Sequence, residues 1–223
     1  MNNNFYSGMK TMDIIDQLKP KTILEIGFGA GMNVLLLLCY LKKPGNDYRL
    51  ISVSDSPKMP ELTLPYDCLD QFIYIYGVSY RILPNWFSMD IPEPFKKPID
   101  FCIIDSDHNY YTLKQELNYI DSIMSPTCAI ALHDTASKPC KHHMYFANAL
   151  NQNSNSMISN HGYLDKTEYP RDKVIETFDV PLMQAIDEFL VEHKDYNKIL
   201  HIDECCGCTL IGRNFSYDHE RTR

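Results

Sequence analysis

Ile23-Leu24-Glu25-Ile26-Gly27-Phe28-Gly29-Ala30-Gly31 decides how the rest of the chain is read. A short apolar run carries an acid near its end, and three glycines follow at alternate positions. Beyond them, Met32-Asn33-Val34-Leu35-Leu36-Leu37-Leu38-Cys39-Tyr40-Leu41 is apolar enough for a buried helix. The pattern predicts a strand, a tight glycine turn and a helix. Glycine at such a turn permits positive φ and lets a ligand approach the backbone. The free N–H groups at the helix start point at whatever sits above. A dinucleotide fingerprint needs G-x-G-x-x-G. Here the third glycine comes one residue early, and Met32 stands in its place. A P-loop needs a Lys-Ser/Thr pair after its last glycine, and none follows. The plain alternative is a turn that only lets a helix pack on a strand.

A length of 223 residues suits one domain with a full core, or one domain with an insertion. The net charge is −8, and no Lys/Arg stripe occurs, which argues against nucleic acid as a general partner. No segment reaches the ~18 apolar residues of a membrane span. The N-terminal Met1-Asn2-Asn3-Asn4-Phe5-Tyr6 lacks the basic and apolar regions of a signal peptide. A soluble, cytoplasmic protein with no membrane partner is expected, and a homo-oligomer is left open. Of eight cysteines, Cys39, Cys102 and Cys128 lie in apolar runs and are expected in the core. Cys205, Cys206 and Cys208 cluster near His201, but only Cys205 and Cys208 have a zinc-like spacing and no second pair follows. A reduced strand outweighs a zinc site there.

Residues 8–18 have helical apolar spacing, and Pro20 stops them; this helix is expected to cover a sheet edge. Further strands are expected at 49–53, 71–76, 99–104 and 128–132. Asp55 follows the second strand, where an acid often binds ribose hydroxyls; capping the next turn is its alternative role. Ser79 follows the third strand, where no acid stands. The fourth strand ends in Asp105-Ser106-Asp107-His108, and the fifth in His133-Asp134-Thr135. Between them, Tyr110, Leu113, Leu117, Ile120 and Met124 form one helical face with polar residues in between. Residues 135–178 are polar and aperiodic, and leave the carboxyl end of strand five, where open α/β sheets bind ligands. A substrate-side insertion is expected there, containing His142 and His143, which read as solvated. A last helix capped by Asp179, strands at 198–202 and 208–211, and a polar tail from Phe215 complete the chain.

The stretch E-x-G-x-G-x-G at Glu25, Gly27, Gly29 and Gly31 resembles motif I of the class I S-adenosylmethionine-dependent methyltransferases. The two strand-tip motifs, Asp105-Ser106-Asp107-His108 with Tyr110 or Tyr111 and then His133-Asp134-Thr135, are similar to one branch of that class. This branch includes macrolide-sugar and rhamnosyl O-methyltransferases and cephalosporin hydroxylase-type proteins, in which "IDGDHSY" and "HDT" recur at these tips. The likeness covers residues 12–135 well and the terminal helix and hairpin more loosely. It implies a single Rossmann-like α/β domain over residues 1–223: a doubly wound, seven-stranded, mostly parallel sheet of order 3-2-1-4-5-7-6 with a terminal antiparallel hairpin. It also implies S-adenosylmethionine held by Glu25, Gly27, Gly29, Gly31, Asp55, Ser79 and Asp105, and a small-molecule or sugar acceptor. Ser79 departs from the pattern, since many methyltransferases place an acid there to meet the adenine amino group. A non-catalytic binding protein and a hydroxylase-type enzyme on the same fold are the alternatives. The related caffeoyl-CoA and catechol O-methyltransferases hold a divalent cation with acids from the same two tips.

A cation has a physical case of its own. Neighbouring parallel strand tips lie about 5 Å apart, so Asp105, Asp107 and Asp134 are candidate ligands. Mg²⁺ suits so sparse a site, because it accepts one or two carboxylates plus waters and substrate oxygens. A bound hydroxyl would be acidified there. His108 or His133 is then the candidate catalytic base, since imidazole titrates near neutral pH. His133 as a ligand, Asp105 as a helix cap, and His133 and Asp134 as loop-binding groups are the competing roles.

Overall fold

The structure, a computed structural model, describes residues 3–29, 31–43, 45–55, 70–136, 180–204, 206–218 and 220. The described elements are α1 (Asn3–Leu18), β1 (Thr22–Ile26), α2 (Met32–Leu41), β2 (Arg49–Ser54), β3 (Phe72–Tyr76) and α3 (Ser79–Ile82). They continue with β4 (Ile99–Ile104), α4 (Tyr110–Ile120), β5 (Met124–His133), α5 (Leu182–Glu192), β6 (Tyr196–Ile202) and β7 (Cys208–Arg213). Short 3₁₀ turns occupy Leu83–Ser88, Glu93–Phe95 and Asp121–Ile123. Most of the expected 135–178 insertion, with Cys140, His142 and His143, lies outside the described residues, as do Cys205 and Asp179.

The seven strands run in the order β3-β2-β1-β4-β5-β7-β6, as expected. β1, β2, β3, β4 and β5 pair in parallel, and β7 joins β5 and β6 antiparallel. Every residue of β1 is buried. A central parallel strand is covered on both faces, so Ile23, Leu24 and Ile26 place apolar side chains on both, and Glu25 between them is buried too. Each such side chain contributes about 1.5–3 kcal/mol by leaving water.

The core lies in two layers, one per face. Ile82, Leu83, Trp86, Leu113, Leu117, Ile186 and Phe189 pack α3, α4 and α5 on one side. Ile14, Ile15, Val34, Leu37, Leu38 and Tyr48 pack α1 and α2 on the other. So α1 covers a face of the sheet and not an edge: Ile14 and Ile15 join the core of α2. The expected polar tail also docks there. Tyr217 is buried beside α1, and the Asp218 backbone N–H donates to Gln17 Oε1 at 2.8 Å. Helix α2 is only half covered. Met32 is 59% exposed, and Cys39 is exposed where the apolar run suggested core. Cys102 and Cys128 are buried as expected, and Cys208 lies on β7. No helix among the described residues is long and apolar enough to cross a membrane.

This topology puts the tips of β1 to β5 along one edge. The strand order reverses between β1 and β4, which leaves a crevice outside their carboxyl ends.

Candidate functional site

The glycine turn forms the floor of that crevice. Gly27 has φ +96°, and a Cβ there would meet the Asp105 carbonyl oxygen at 2.1 Å and Ser106 Cα at 2.7 Å. Glycine is therefore demanded by the close approach of the β4 tip. The Asp105 backbone N–H donates to the Ile26 carbonyl at 2.9 Å and locks the two tips together. Gly29 faces open space: nothing lies within 4 Å of the position a Cβ would take. Gly31 is the N-cap of α2, with φ 75° and no side-chain cap. The first N–H groups of α2 therefore remain for another acceptor.

Glu25 is fully buried in the sheet. Its Oε2 accepts from Ser52 Oγ at 2.6 Å, and its Oε1 has no hydrogen-bond partner among the described residues. Burial pushes this carboxyl up to about 8. Asp55, at the β2 tip, is half-buried; burial first, and then the charge of Asp107, raises it to about 7. Ser79 opens α3, and its hydroxyl donates to the buried Glu116 of α4.

Asp105 and Asp134 converge from the tips of β4 and β5. His108 lies between them, with Nε2 at 3.3 Å from Asp105 Oδ1 and Nδ1 at 2.9 Å from Asp134 Oδ2. His133 Nδ1 approaches the same two carboxylates, at 3.3 Å from Asp105 Oδ1 and 3.1 Å from Asp134 Oδ1. Neither contact of His133 is aligned as a hydrogen bond, so its buried Nδ1 lacks one. Burial opposes charge on both imidazoles, but the paired carboxylates prevail and raise each well above its ordinary value. Burial likewise opposes charge on the carboxylates, and the imidazoles hold both well below the usual range. Asp134 adopts φ 57°, a left-handed backbone that few residues other than glycine accept. The following residues are tied to the β6–β7 turn, where the Ala136 N–H donates to the Cys206 carbonyl at 2.8 Å.

Asp105, His108 and Asp134 can each offer one ligand atom, all within 4.8 Å of one another. Asp107 stands outside this group: its Oδ2 accepts from Thr112 Oγ1 at 3.3 Å, and its charge is felt at Asp55. Asp105 does not cap α4. That cap is Asn109, whose side chain accepts from the Thr112 N–H at 2.9 Å. Glu116 was missed in the sequence because it sits among polar residues. Yet it lies three residues after Leu113 and four before Ile120, on the buried face of α4.

The family described as "Methyltransferase domain" matches residues 24–135, the span from the glycine turn to the β5 tip. The chain belongs to the methyltransferase-domain family. Fold and family together bear out the class expected from motif I, the S-adenosylmethionine-dependent methyltransferases. Solved structures share the methyltransferase fold at low identity. The O-methyltransferase from Bacillus cereus in complex with SAH is 14% identical, with a TM-score of 0.58, over 93% of this chain and 80% of that one. The O-methyltransferase TomG from Streptomyces achromogenes, in complex with SAM, is 15% identical, with a TM-score of 0.59, over 94% and 80%. The SAH-bound Podospora anserina methyltransferase PaMTH1 is 18% identical, with a TM-score of 0.51, over 93% and 77%. No curated protein sequence matches the methyltransferase.

Proposed function

We propose that this methyltransferase acts on a hydroxyl oxygen of a small molecule or sugar, assisted by a divalent cation at the tips of β4 and β5. One observation carries the reading: two carboxylates and two imidazoles from adjacent tips converge beside the glycine turn. TomG, an O-methyltransferase of tomaymycin synthesis, is an example of small-molecule chemistry on this fold.

The residues fit the cofactor. Gly29 leaves open space above the turn, and α2 offers uncapped N–H groups to a carboxylate. Asp55, at the tip of β2, would hold ribose hydroxyls, and Ser79, beyond β3, would meet the base. S-adenosylmethionine supplies an electrophilic methyl on a sulfonium. Gly27 lets the tips of β1 and β4 close up, which sets the acceptor cluster directly against the turn.

The residues also fit a cation. Asp105 and Asp134 are ionised at neutral pH, and the His133 Nδ1 beside them makes no hydrogen bond of its own. Asp105, Asp134 and His108 would hold the ion, with Asp107 turned away toward Thr112 and Asp55. A divalent ion supplies acidification of a bound hydroxyl, and its charge favours the neutral imidazole that a base requires. His133, the more open of the two imidazoles, takes the acceptor proton. The imidazolium so formed is stabilised by Asp105 and Asp134, 3.3 and 3.1 Å away. Residues 135–178 supply the acceptor contacts in this reading.

Calorimetric titration with S-adenosylhomocysteine tests the cofactor: binding in the micromolar range is expected, and no binding at high micromolar concentration sinks the reading. Turnover on an identified acceptor, before and after EDTA, tests the cation. Unchanged turnover after complete chelation removes it. Cofactor binding without transfer to any hydroxylated acceptor would instead favour a binding protein.

A further inference from the structure

Glu116 is a fully buried acid on a helix whose other inward residues are Thr112, Leu113, Leu117 and Ile120. Burying a carboxyl is costly unless it is hydrogen-bonded. Its partners come from two loops of the ligand edge. Ser79 Oγ donates to Oε1 from beyond β3, and Ser106 Oγ lies 2.8 Å from Oε1 and 2.9 Å from Oε2 from beyond β4. The sheet itself keeps these two tips apart by inserting β2 and β1 between them. Ser106 also lies against the glycine turn, where its Cα bars a Cβ on Gly27.

We infer that Glu116 is a positioning residue that fixes the polarity of Ser79 and so makes the β3 tip read an adenine amino group. This rests on the proposed cofactor site, in which the base lies at β3. A serine hydroxyl has one proton and two lone pairs. With its proton given to Glu116, Ser79 can only accept from a ligand. An acid after β3 would do the same, and this chain has none there. Thus the serine and the acid behind it replace a direct carboxylate. The polarity holds in either protonation state. Burial pushes the Glu116 carboxyl up to about 8. In the neutral acid a proton on Oε2, the oxygen that Ser79 does not contact, leaves Oε1 to accept from Ser79. Adenine offers an amino donor at this place; hypoxanthine offers a carbonyl oxygen, which would meet the Ser79 lone pairs.

The test uses the full chain and two probes, S-adenosylhomocysteine and its inosine analogue, with Kd measured by calorimetry. Wild type is expected to favour the adenine form about tenfold, the cost of one unmade buried hydrogen bond. Glu116→Gln keeps that preference, because the amide oxygen accepts from Ser79 and the amide nitrogen donates to Ser106. Glu116→Met frees the Ser79 proton and brings the two Kd values within about threefold, by weakening the adenine form and strengthening the inosine form. Ser79→Ala also loses the preference, and adding Glu116→Met to it changes nothing more. Ser106→Ala leaves the Ser79 bond in place and keeps the preference. A merely structural Glu116 would shift both Kd values by the same factor in Glu116→Met, and that result overturns the inference. A wild type that binds both probes equally also overturns it while leaving the cofactor site standing. A wild type that binds neither refutes the cofactor site as well. If Glu116→Met does not fold, the Ser79→Ala and Ser106→Ala pair decides: equal loss in both contradicts the assignment.

Discussion

Gly27→Ala isolates the contact that builds the site. The added methyl must find room 2.1 Å from the Asp105 carbonyl oxygen, 2.5 Å from its carbon and 2.7 Å from Ser106 Cα. All three are backbone atoms, and the Asp105 N–H is tied to Ile26 across the same gap. Nothing flexible can yield, so the tips of β1 and β4 must part. Positive φ alone costs roughly 1–2 kcal/mol for a residue with a Cβ. Overpacking adds about 1–3 kcal/mol, which gives roughly 2–5 kcal/mol in all. Gly29→Ala is the internal control. It too has positive φ, but its Cβ would enter open space, so only the ~1–2 kcal/mol backbone cost applies. Urea unfolding of both variants, read from the midpoint at constant slope, gives the comparison. Gly27→Ala should be the less stable of the two by at least ~1 kcal/mol and should lose S-adenosylhomocysteine binding. Equal stabilities would refute the claim that the β4 tip presses on the turn.

Other outcomes follow from the same geometry. Glu25 and Glu116 both have folded-state values near 8 against an ordinary 4.5. At these two groups the native state therefore binds more protons than the unfolded chain between those values, so their contribution to stability should fall as pH rises from 4.5 to 8. Urea unfolding at pH 5 and pH 8.5 checks this; Glu25→Gln should flatten part of the slope, and an unchanged slope would count against its burial. Asp134→Asn should keep the left-handed backbone, which asparagine tolerates, but remove one of the carboxylates facing the two imidazoles. The NMR titration midpoints of His108 and His133 should then both move down, and static midpoints would contradict the paired cluster. Asn109→Ala removes the α4 cap and should cost about 1 kcal/mol of stability, measured by the same unfolding assay.

The sheet was legible because buried parallel strands are mostly apolar runs that end abruptly in glycine or acid, as at Ile26-Gly27 and Ile104-Asp105. The placing of β7 between β5 and β6 came through the likeness to a known class, since no local pattern encodes strand order. The site was legible as a set of tips, but not as directions. Past Ile104 the strand alternation ends, so nothing in Asp105-Ser106-Asp107-His108 says which side chain turns toward β5. The structure turns His108 there and Asp107 toward Thr112 and Asp55. Glu116 carried a signal in its spacing from Leu113 and Ile120, masked by the habit of reading an acid on a helix as solvated. Cys39 and Tyr217 mislead for the opposite reason. Apolar composition put one in the core and polar neighbours put the other in solvent, while Cys39 is exposed on α2 and Tyr217 is buried in the cluster that holds Ile14 and Ile15 of α1.

A crystal structure grown with S-adenosylhomocysteine and Mn²⁺, the latter located by its anomalous scattering, probes both halves of the site at once. The sulfur of the cofactor is expected above residues 27–31, with an anomalous peak within coordination distance of both Asp105 and Asp134. A cofactor bound away from the glycine turn, or a saturated Mn²⁺ soak with no peak between the two tips, would contradict the proposed site.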